Sequence, residues 1–137
     1  MSRFTIDDAE VILKEGFAPW IQEMDIQFVD IDDGVATLRV PASDRLKRIG
    51  GMVCGQAIMS LADTAMVFAI ASSVGKMVPM TTVNQTSAFL RPATDDDLIA
   101  VARVIKQGRQ IVYGEVNLYT TNSDKPVAHV TSTNMLL

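Results

Sequence analysis

The sequence predicts an α+β domain in which one long apolar helix packs across a curved antiparallel sheet. Two observations lead to this prediction: a stretch of apolar and small residues at positions 53–73, and segments of β-type alternation on both sides of it. A helix that is apolar on nearly every side has to be buried on nearly every side, which a curled sheet and a partner surface can achieve. At 137 residues, the chain has the size of a single domain over residues 1–137.

An amphipathic helix is predicted near the N-terminus, over residues 7–16. Thr5 fits its N-cap position, because the hydroxyl can accept a hydrogen bond from a first-turn amide. Gly16 is a typical helix stop, and Pro19 opposes continuation of the helix. We therefore expect a short helix followed by a break.

Two strands before the long helix and four strands after it are predicted. The Asp33-Gly34 pair favours a tight hairpin turn, because glycine tolerates a positive φ. Later strands are separated by short turns at Gln107-Gly108 and at residues 122–125, which predicts hairpin connections and an antiparallel sheet. The predicted strands are residues 26–32, 35–41, 78–90, 97–106, 109–121 and 126–137.

The apolar stretch at residues 53–73 is also long enough to cross a lipid bilayer. Asp63 lies at its middle, however, where a charge is costly in lipid, and Ser60 and Thr64 dilute the segment further. We therefore predict a buried core helix that ends at Gly75.

Composition narrows the class of protein. A net charge of −4 and a pI of about 4.8 argue against general nucleic-acid binding. Cys54 is the only cysteine and His129 the only histidine, so neither an internal disulfide nor a structural zinc site is expected. The first residues lack the pattern of a signal peptide, so we expect a cytoplasmic protein without a membrane partner.

Basic residues form two clusters, one before the long helix and one between two predicted strands. Both fit solvated surface charge, and both fit contacts with an anionic small ligand, since net charge does not decide a local interaction. The clusters are Arg45, Lys47 and Arg48, and then Lys106 and Arg109.

Asp63 is the most unusual residue of the long helix. A carboxylate among apolar side chains is costly unless it is hydrogen-bonded or paired. Two interpretations stay open: local hydrogen bonds satisfy the carboxylate, or it serves acid–base or nucleophilic chemistry. We predict an enzyme whose chemistry centres on Asp63.

Three parts of the sequence together resemble a known family. They are the segment from Gly51 to Asp63, the motif Phe89-Leu90-Arg91-Pro92-Ala93, and the turn around Gly108. In their order and spacing they resemble the hot-dog fold acyl-CoA thioesterases of the phenylacetate-degradation type, within the 4-hydroxybenzoyl-CoA thioesterase superfamily. The similarity extends from about Val35 to the C-terminus.

The resemblance implies roles for three residues. Asp63, eight positions after Gly55, would be the general base or the nucleophile. The backbone amide of Gly55, at the start of the helix, would stabilise the oxyanion. The hydroxyl of Thr82 would orient the water or the carboxylate.

Three positions depart from the family pattern. Arg48 stands where asparagine or glutamine is usual, Cys54 where histidine is usual, and Gln56 where a second glycine is usual. Arg48 could contact the thioester carbonyl, pair with Asp63 of a neighbour, bind a phosphate, or simply be exposed. Cys54 fits structural burial better than a nucleophile, and Gln56 fits ligand binding and capping of the first helical turn equally well.

The implied function is hydrolysis of an acyl-CoA to a free acid and CoA, without a metal or an organic cofactor. The implied assembly is a homodimer or homotetramer with sites between subunits, in which Gly55 and Arg48 of one chain face Asp63 and Thr82 of the other. A non-catalytic acyl-CoA binder is the main alternative, because of the three departures. Candidates for binding the CoA phosphates are Arg91, Lys106 and Arg109.

Overall fold

A six-stranded antiparallel sheet curls around one long helix in the computed structural model, which describes residues 3–137. This is the α+β class that the sequence predicts. The loop between Val40 and Gly55 contains a 3₁₀ turn at Asp44–Leu46. The elements are α1 (Ile6–Gly16), α2 (Pro19–Gln22), β1 (Gln27–Asp32), β2 (Val35–Val40), α3 (Gly55–Val74), β3 (Met80–Phe89), β4 (Leu98–Gln107), β5 (Ile111–Thr120) and β6 (Ala128–Leu136).

The strands lie in the order β1-β2-β4-β5-β6-β3, and every neighbouring pair is antiparallel. The expectation that strands consecutive in sequence pair through short turns is wrong for β3, which pairs with β6, while β4 pairs with β2. After α3 the chain continues as β3, and residues 90–97 then connect β3 to β4, which pairs with β2. Strands β5 and β6 therefore lie between β4 and β3 in the sheet, and β3 forms an edge.

The N-terminal helix α1 begins at the predicted N-cap, Thr5. The Thr5 hydroxyl accepts a hydrogen bond from the Asp8 amide at 3.2 Å, and the Asp8 carboxylate accepts one from the Thr5 amide at 2.9 Å. This capping box satisfies two amides at once. Beyond Gly16 the chain forms α2, which was not predicted; Pro19 occupies its first position, where the missing N–H is not needed.

An aromatic cluster around Phe68 holds α1 and β1 against α3. Phe68 is fully buried, the rings of Phe4 and Phe17 stack on it at 6.3 and 5.4 Å, and Phe28 meets it edge-on at 4.8 Å. Such pairs contribute about 0.5–1.5 kcal/mol each beyond the burial of area. The cluster therefore fixes the C-terminal half of α3 within the sheet.

The helix α3 is buried over most of its circumference, mainly against β2, β4 and β5. It ends at Gly75 as predicted, with a left-handed φ of +100°. The sheet covers most of the helix as predicted, but it ends at β3 and leaves one stripe open; the partner surface expected to cover that stripe stays a prediction. This open stripe consists of Gln56, Met59, Asp63 and Val67, all exposed or half-buried.

By length and mean hydropathy, 1.7 over its most apolar window, α3 could cross a membrane. Within this domain, however, 67% of that window is buried. The hydroxyls of Ser60 and Thr64 donate to the carbonyl oxygens of Gln56 and Ser60, at 2.7 and 2.8 Å, so these polar groups are satisfied inside the helix. The helix is therefore the buried core element that the sequence predicts.

The predicted tight turn joins β1 to β2. Asp33 and Gly34 both have positive φ, 39° and 85°, as a hairpin turn that follows the strand twist requires. The Gly34 amide donates to Ser72 Oγ at 3.0 Å, which ties the turn to the end of α3.

Gly114 in β5 allows α3 to approach the sheet closely. A Cβ at this position would lie 2.3 Å from Met66 Cε of the helix and 2.7 Å from the carbonyl oxygen of Arg103. A β-bulge between Val104 and Lys106 bends β4 at the same level. The close packing of α3 against β5 therefore depends on the absence of a side chain at Gly114.

Asp97 joins the end of β2 to the start of β4. Its carboxylate accepts hydrogen bonds from the Ala42 amide at 2.9 Å and from Arg39 Nε at 2.7 Å, and Arg39 Nη2 donates a further one. The hydrogen bond from Ala42, followed by those from Arg39, lowers the pKa of Asp97 below its usual value of 3.8. Since the loop that begins at Ala42 leads to α3, this contact helps to position the start of the helix.

Replacing Gly114 by alanine should destabilise the domain by about 1–3 kcal/mol. The added Cβ would overlap Met66 and the Arg103 carbonyl oxygen, and the carbonyl can move only if the strand backbone moves with it. Urea denaturation measures the change. Gly16→Ala is the matched control, since a Cβ there meets nothing within 4 Å. Equal losses of stability in the two variants would contradict the packing role of Gly114.

Asp97→Asn should destabilise the protein near neutral pH, and the difference from wild type should vanish in acid. The folded-state pKa of Asp97 lies below the unfolded value, so the ionised carboxylate stabilises fully above the unfolded value. That contribution is lost as the pH falls through the folded value. Urea denaturation of both proteins from about pH 7 to about pH 2 tests this. A difference that stays constant over this range would contradict it.

Candidate active site

Asp63 lies on the open stripe of α3 and is half-buried in the protomer, not fully buried as the apolar sequence around it suggests. Its Oδ1 accepts a hydrogen bond from Thr82 Oγ1 at 2.8 Å. The carboxylate and the hydroxyl that were singled out in the sequence are therefore in contact within one protomer.

A β-bulge turns Thr82 toward the helix. The register between β3 and β6 shifts between Thr82 and Asn84, and Val83 at the bulge is exposed. A bulge changes which side chains face each side of a strand, and it often re-aims a residue at a functional site. Here it brings Thr82 to the same side of β3 as the later residues that contact α3.

Strand β3 contacts three successive turns of α3. Near its start a hydroxyl reaches the helix carboxylate, at its middle the Gln85 amide donates to a helix carbonyl at 3.2 Å, and at its end a phenyl ring lies beside the first helical residue. The contacting pairs are Thr82 with Asp63, Gln85 with Met59, and Phe89 with Gly55.

Gly55 is the first residue of α3, as predicted, and Cys54 is its N-cap. Among residues 3–137, no side chain caps this terminus, so its amides are available to another acceptor. A Cβ on Gly55 would lie 3.2 Å from Phe89 Cζ. The glycine therefore makes room for the Phe89 ring beside the positive end of the helix.

A cavity of about 410 Å³ opens in front of Gly55, within the size range of small-molecule sites. Its wall is largely apolar, with two guanidinium groups. It brings together three residues predicted from the sequence: Arg48, Gly55 and Arg91.

The two loops that form this cavity are fastened to each other. The Val53 amide donates to the Ala93 carbonyl at 2.8 Å. Lys47 Nζ lies 3.0 Å from Asp95 Oδ1 and 3.3 Å from Asp44 Oδ1, and hydrogen bonds to these carboxylates, Asp95 first, raise the pKa of Lys47. Lys47 of the predicted basic cluster is thus engaged in ion pairs.

The two arginines at the cavity use only part of their donor groups. Arg48 donates to the Ile49 carbonyl at 2.7 Å and to Met52 Sδ at 3.0 Å, and Arg91 donates to the Pro126 carbonyl at 2.6 Å. Each guanidinium has five N–H groups, and both side chains are exposed. Both can meet an anionic group without losing these contacts.

Cys54 and Gln56 line a second cavity, of about 270 Å³, together with Trp20 of α2. Cys54 is half-buried. The histidine that could activate it is engaged elsewhere: His129 Nε2 lies 2.9 Å from a carboxylate oxygen of Glu115. Within residues 3–137, no group of three or more His, Cys, Asp or Glu residues is arranged to hold a metal ion.

Arg109 lies far from the cavity in front of Gly55 within the protomer. It belongs to the β4–β5 turn, next to Gln107, whose side chain accepts a hydrogen bond from Ser73 near the end of α3. Ser73 follows Gly55 by 18 positions along the helix, which corresponds to about 27 Å. Binding of a ligand by Arg109 therefore stays a prediction.

Two polar side chains of β6, not singled out in the sequence, lie behind Thr82. Asn134 Nδ2 donates to Thr82 Oγ1 at 3.3 Å, and Asn134 Oδ1 accepts from Ser132 Oγ at 2.7 Å. The two residues are only 1% and 2% exposed. The two-residue alternation along β6 could have indicated their burial in the sequence. Ala128 and Val130 face the core, and the same period turns Ser132 and Asn134 inward.

Asp63 and Gly55 cannot act on the same atom within one protomer. Asp63 follows Gly55 by eight positions, which corresponds to about 12 Å along the helix axis. Because the helix is continuous from Gly55 to Val74, this distance is fixed.

Comparison with known sequences identifies the family. The model of the Thioesterase superfamily matches residues 50–127, more than half of the chain. A protein of Saccharolobus solfataricus named "Putative esterase" is 27% identical over 99 residues, which are 72% of this chain and 65% of that relative. The chain thus matches slightly less than two thirds of the relative's length.

Solved structures have the same architecture. A "putative thioesterase" from Silicibacter sp. TM1040 is 29% identical, with a TM-score of 0.86 over 98% of this chain and 92% of that chain. The PaaI protein from the phenylacetic acid degradation operon of E. coli is 23% identical, with a TM-score of 0.85 over 96% of this chain and 91% of that chain, a likeness that shows the fold.

The resemblance to hot-dog thioesterases is confirmed by these matches. The region that matches the family model contains Gly55, Asp63, Thr82 and Arg91. The chain therefore belongs to the thioesterase superfamily, and it has the hot-dog fold.

Proposed function

We propose that the protein hydrolyses an acyl-CoA thioester to a free acid and CoA in the cytoplasm, without a metal or an organic cofactor. The observation that carries this proposal is the Asp63 carboxylate, which the Thr82 hydroxyl holds on the open stripe of α3 beside an edge strand. A hydrogen-bonded, half-exposed carboxylate that substrate can reach suits attack on a carbonyl.

Two routes fit this carboxylate. As a general base, Asp63 takes a proton from water while the water oxygen adds to the thioester carbonyl, and the C–S bond then breaks with CoA leaving as the thiol. As a nucleophile, an Asp63 oxygen adds to the thioester carbonyl and the C–S bond breaks with loss of the CoA thiolate, which leaves a mixed anhydride; water then hydrolyses the anhydride to the free acid and the Asp63 carboxylate. In both routes Thr82 holds Oδ1, and Oδ2 serves the reaction.

The start of α3 suits the oxyanion that either route creates. The carbonyl oxygen becomes negative as the carbonyl carbon turns tetrahedral, and the uncapped amide of Gly55 would donate to it. One donor of this kind contributes about 3 kcal/mol to the stability of a transition state.

Both groups can reach one carbonyl if a second copy of the chain completes the site. β3 is an edge strand with exposed apolar side chains, among them Val83 and Phe89, and such an edge favours pairing with another strand. Antiparallel pairing of β3 with the same strand of a second copy would bring the start of one strand beside the end of the other. Asp63 with Thr82 from one protomer would then meet Gly55 with Phe89 from its partner.

The proposed assembly is this homodimer, or a homotetramer of two such dimers, with sites between subunits. The CoA phosphates would meet guanidinium groups at the rim of the cavity in front of Gly55. Arg48 and Arg91 are suited to this by their unused N–H groups, whereas Lys106 and Arg109 would have to act at a site reached from another protomer.

Asp63→Asn should lower kcat by at least about 100-fold with a small change in KM, because the amide is neither a base nor a nucleophile. Release of the CoA thiol from a panel of aryl and medium-chain acyl-CoAs measures turnover. Ser60→Ala, one turn earlier on the helix, is the control and should keep full activity, since its hydroxyl bonds only the helix backbone. Unchanged turnover in Asp63→Asn would contradict the proposal; binding without turnover in wild type would favour a non-catalytic acyl-CoA binder.

Gly55→Pro should lower kcat by about 100-fold relative to Gly55→Ala, because only proline removes the proposed oxyanion donor. Both variants add the Cβ that approaches Phe89, so the alanine variant controls for that contact. Proline is tolerated at a first helical position, and Cys54 already has the extended backbone that a residue before proline prefers. Equal kcat values for the two variants would exclude the Gly55 amide as the donor.

A further inference from the structure

We infer that Asn134 is a positioning residue, which fixes the Thr82 hydroxyl so that its single proton is donated to Asp63. This inference rests on the proposed function and extends it to a residue that does not touch substrate. The residues concerned form one line of hydrogen bonds, Ser132–Asn134–Thr82–Asp63, called here the polar chain.

The direction of each hydrogen bond follows from the donors available. A threonine hydroxyl has one proton and two acceptor lone pairs, whereas the Nδ2 group of asparagine only donates. Because Asn134 Nδ2 faces Thr82 Oγ1, the hydroxyl must accept from it. The one hydroxyl proton is then directed to Asp63 Oδ1.

In the structure the Asn134 amide faces Ser132 through Oδ1 and Thr82 through Nδ2. Ser132 Oγ donates to Asn134 Oδ1 at 2.7 Å, which leaves Nδ2 for Thr82. With the amide reversed, an oxygen would face Thr82, and the hydroxyl proton would have two competing acceptors, Asn134 and Asp63. The orientation of the amide therefore decides whether Asp63 is the preferred acceptor of that proton without competition from Asn134.

The polar chain is built on paired strands. Thr82 and Asn134 are direct partners in the β3–β6 register, so their side chains lie on the same face. Ser132 is two residues earlier on β6 and shares that face. Because β6 is an inner strand, between β5 and β3, the backbone that carries Ser132 and Asn134 is held by hydrogen bonds on both sides.

Burial makes the polar residues unusual at these positions. Earlier on the same face of β6, Ala128 and Val130 are apolar and fully buried. Ser132 and Asn134 instead bring three polar heavy atoms into the core. A buried polar group without a partner is costly, yet within residues 3–137 every fully buried side-chain polar atom has one. An apolar pair would fill this space without that requirement, so the polar pair points to the ordering of the groups beside Asp63.

A double-mutant cycle on kcat tests this inference. Asn134→Leu keeps a similar shape but removes both hydrogen bonds, and Thr82→Val removes the hydroxyl. Each single variant should lower kcat about 10-fold with KM within about two-fold, the scale of one lost hydrogen bond to a charged group. Because Asn134 acts through Thr82, the double variant should also be about 10-fold slower than wild type, whereas independent effects would make it about 100-fold slower.

A double variant about 100-fold slower than wild type, or an unchanged kcat in Asn134→Leu, would overturn the inference. Either result would leave the proposed function intact. Thr131→Val, on the outward face of β6, is the control and should not change kcat. All assays are run at a temperature below the thermal unfolding midpoint of each variant. If Asn134→Leu does not fold, Ser132→Ala takes its place in the cycle, with the same criterion of non-multiplying losses.

If wild type turns over none of the acyl-CoAs, the proposed function fails and a measurement without substrate decides the inference. The side-chain amide proton signal of Asn134 should move by more than about 0.1 ppm in Asp63→Ala, because Thr82 loses its acceptor and its oxygen becomes less polarised. Thr131→Val should move the signal less. No movement in Asp63→Ala would overturn the coupling.

Discussion

The rigidity of α3 is the constraint on which the rest of the site depends. Asp63 and the uncapped amide of Gly55 lie on one continuous helix, about 12 Å apart, and the sheet and the cluster around Phe68 hold that helix firmly. A base and an oxyanion donor have to meet at one carbonyl, so these two cannot come from the same helix. In the proposed dimer each copy supplies one of them, and the rigid helix fixes where each group stands.

Strand β3 relates the two ends of the site to each other. It is an edge of the sheet, it contacts α3 at Asp63 near its start, and it contacts Gly55 at its end. The bulge at Val83 turns Thr82 to the helix side, and β6 supports that hydroxyl from within the core through Asn134. The proposed chemistry thus lies at the open edge of the sheet, while the groups proposed to orient it lie in the buried interior.

Sequence predicts the features that local signals encode. The N-cap at Thr5, the end of α3 at Gly75 and the course of the long helix follow from short-range patterns, and the helix carboxylate was recognisable because its spacing fits a family motif. The pairing of β3 with β6 and the bulge that aims Thr82 depend on contacts between residues about 50 positions apart, which short-range patterns do not encode. The alternation of β6 places Asn134 inward, but its contact with Thr82 could not be predicted, because that partner lies on another strand.

Active sites shared between two protomers are the central claim, and a heterodimer tests it most directly. Chains with Asp63→Asn and chains with Gly55→Pro, carrying different tags, are expressed together, and the mixed dimer is purified through both tags. In a shared arrangement one of its two sites keeps both native groups, so the mixed dimer should have about half of the wild-type activity while each parent dimer stays at background. A mixed dimer as inactive as its parents would contradict the shared site.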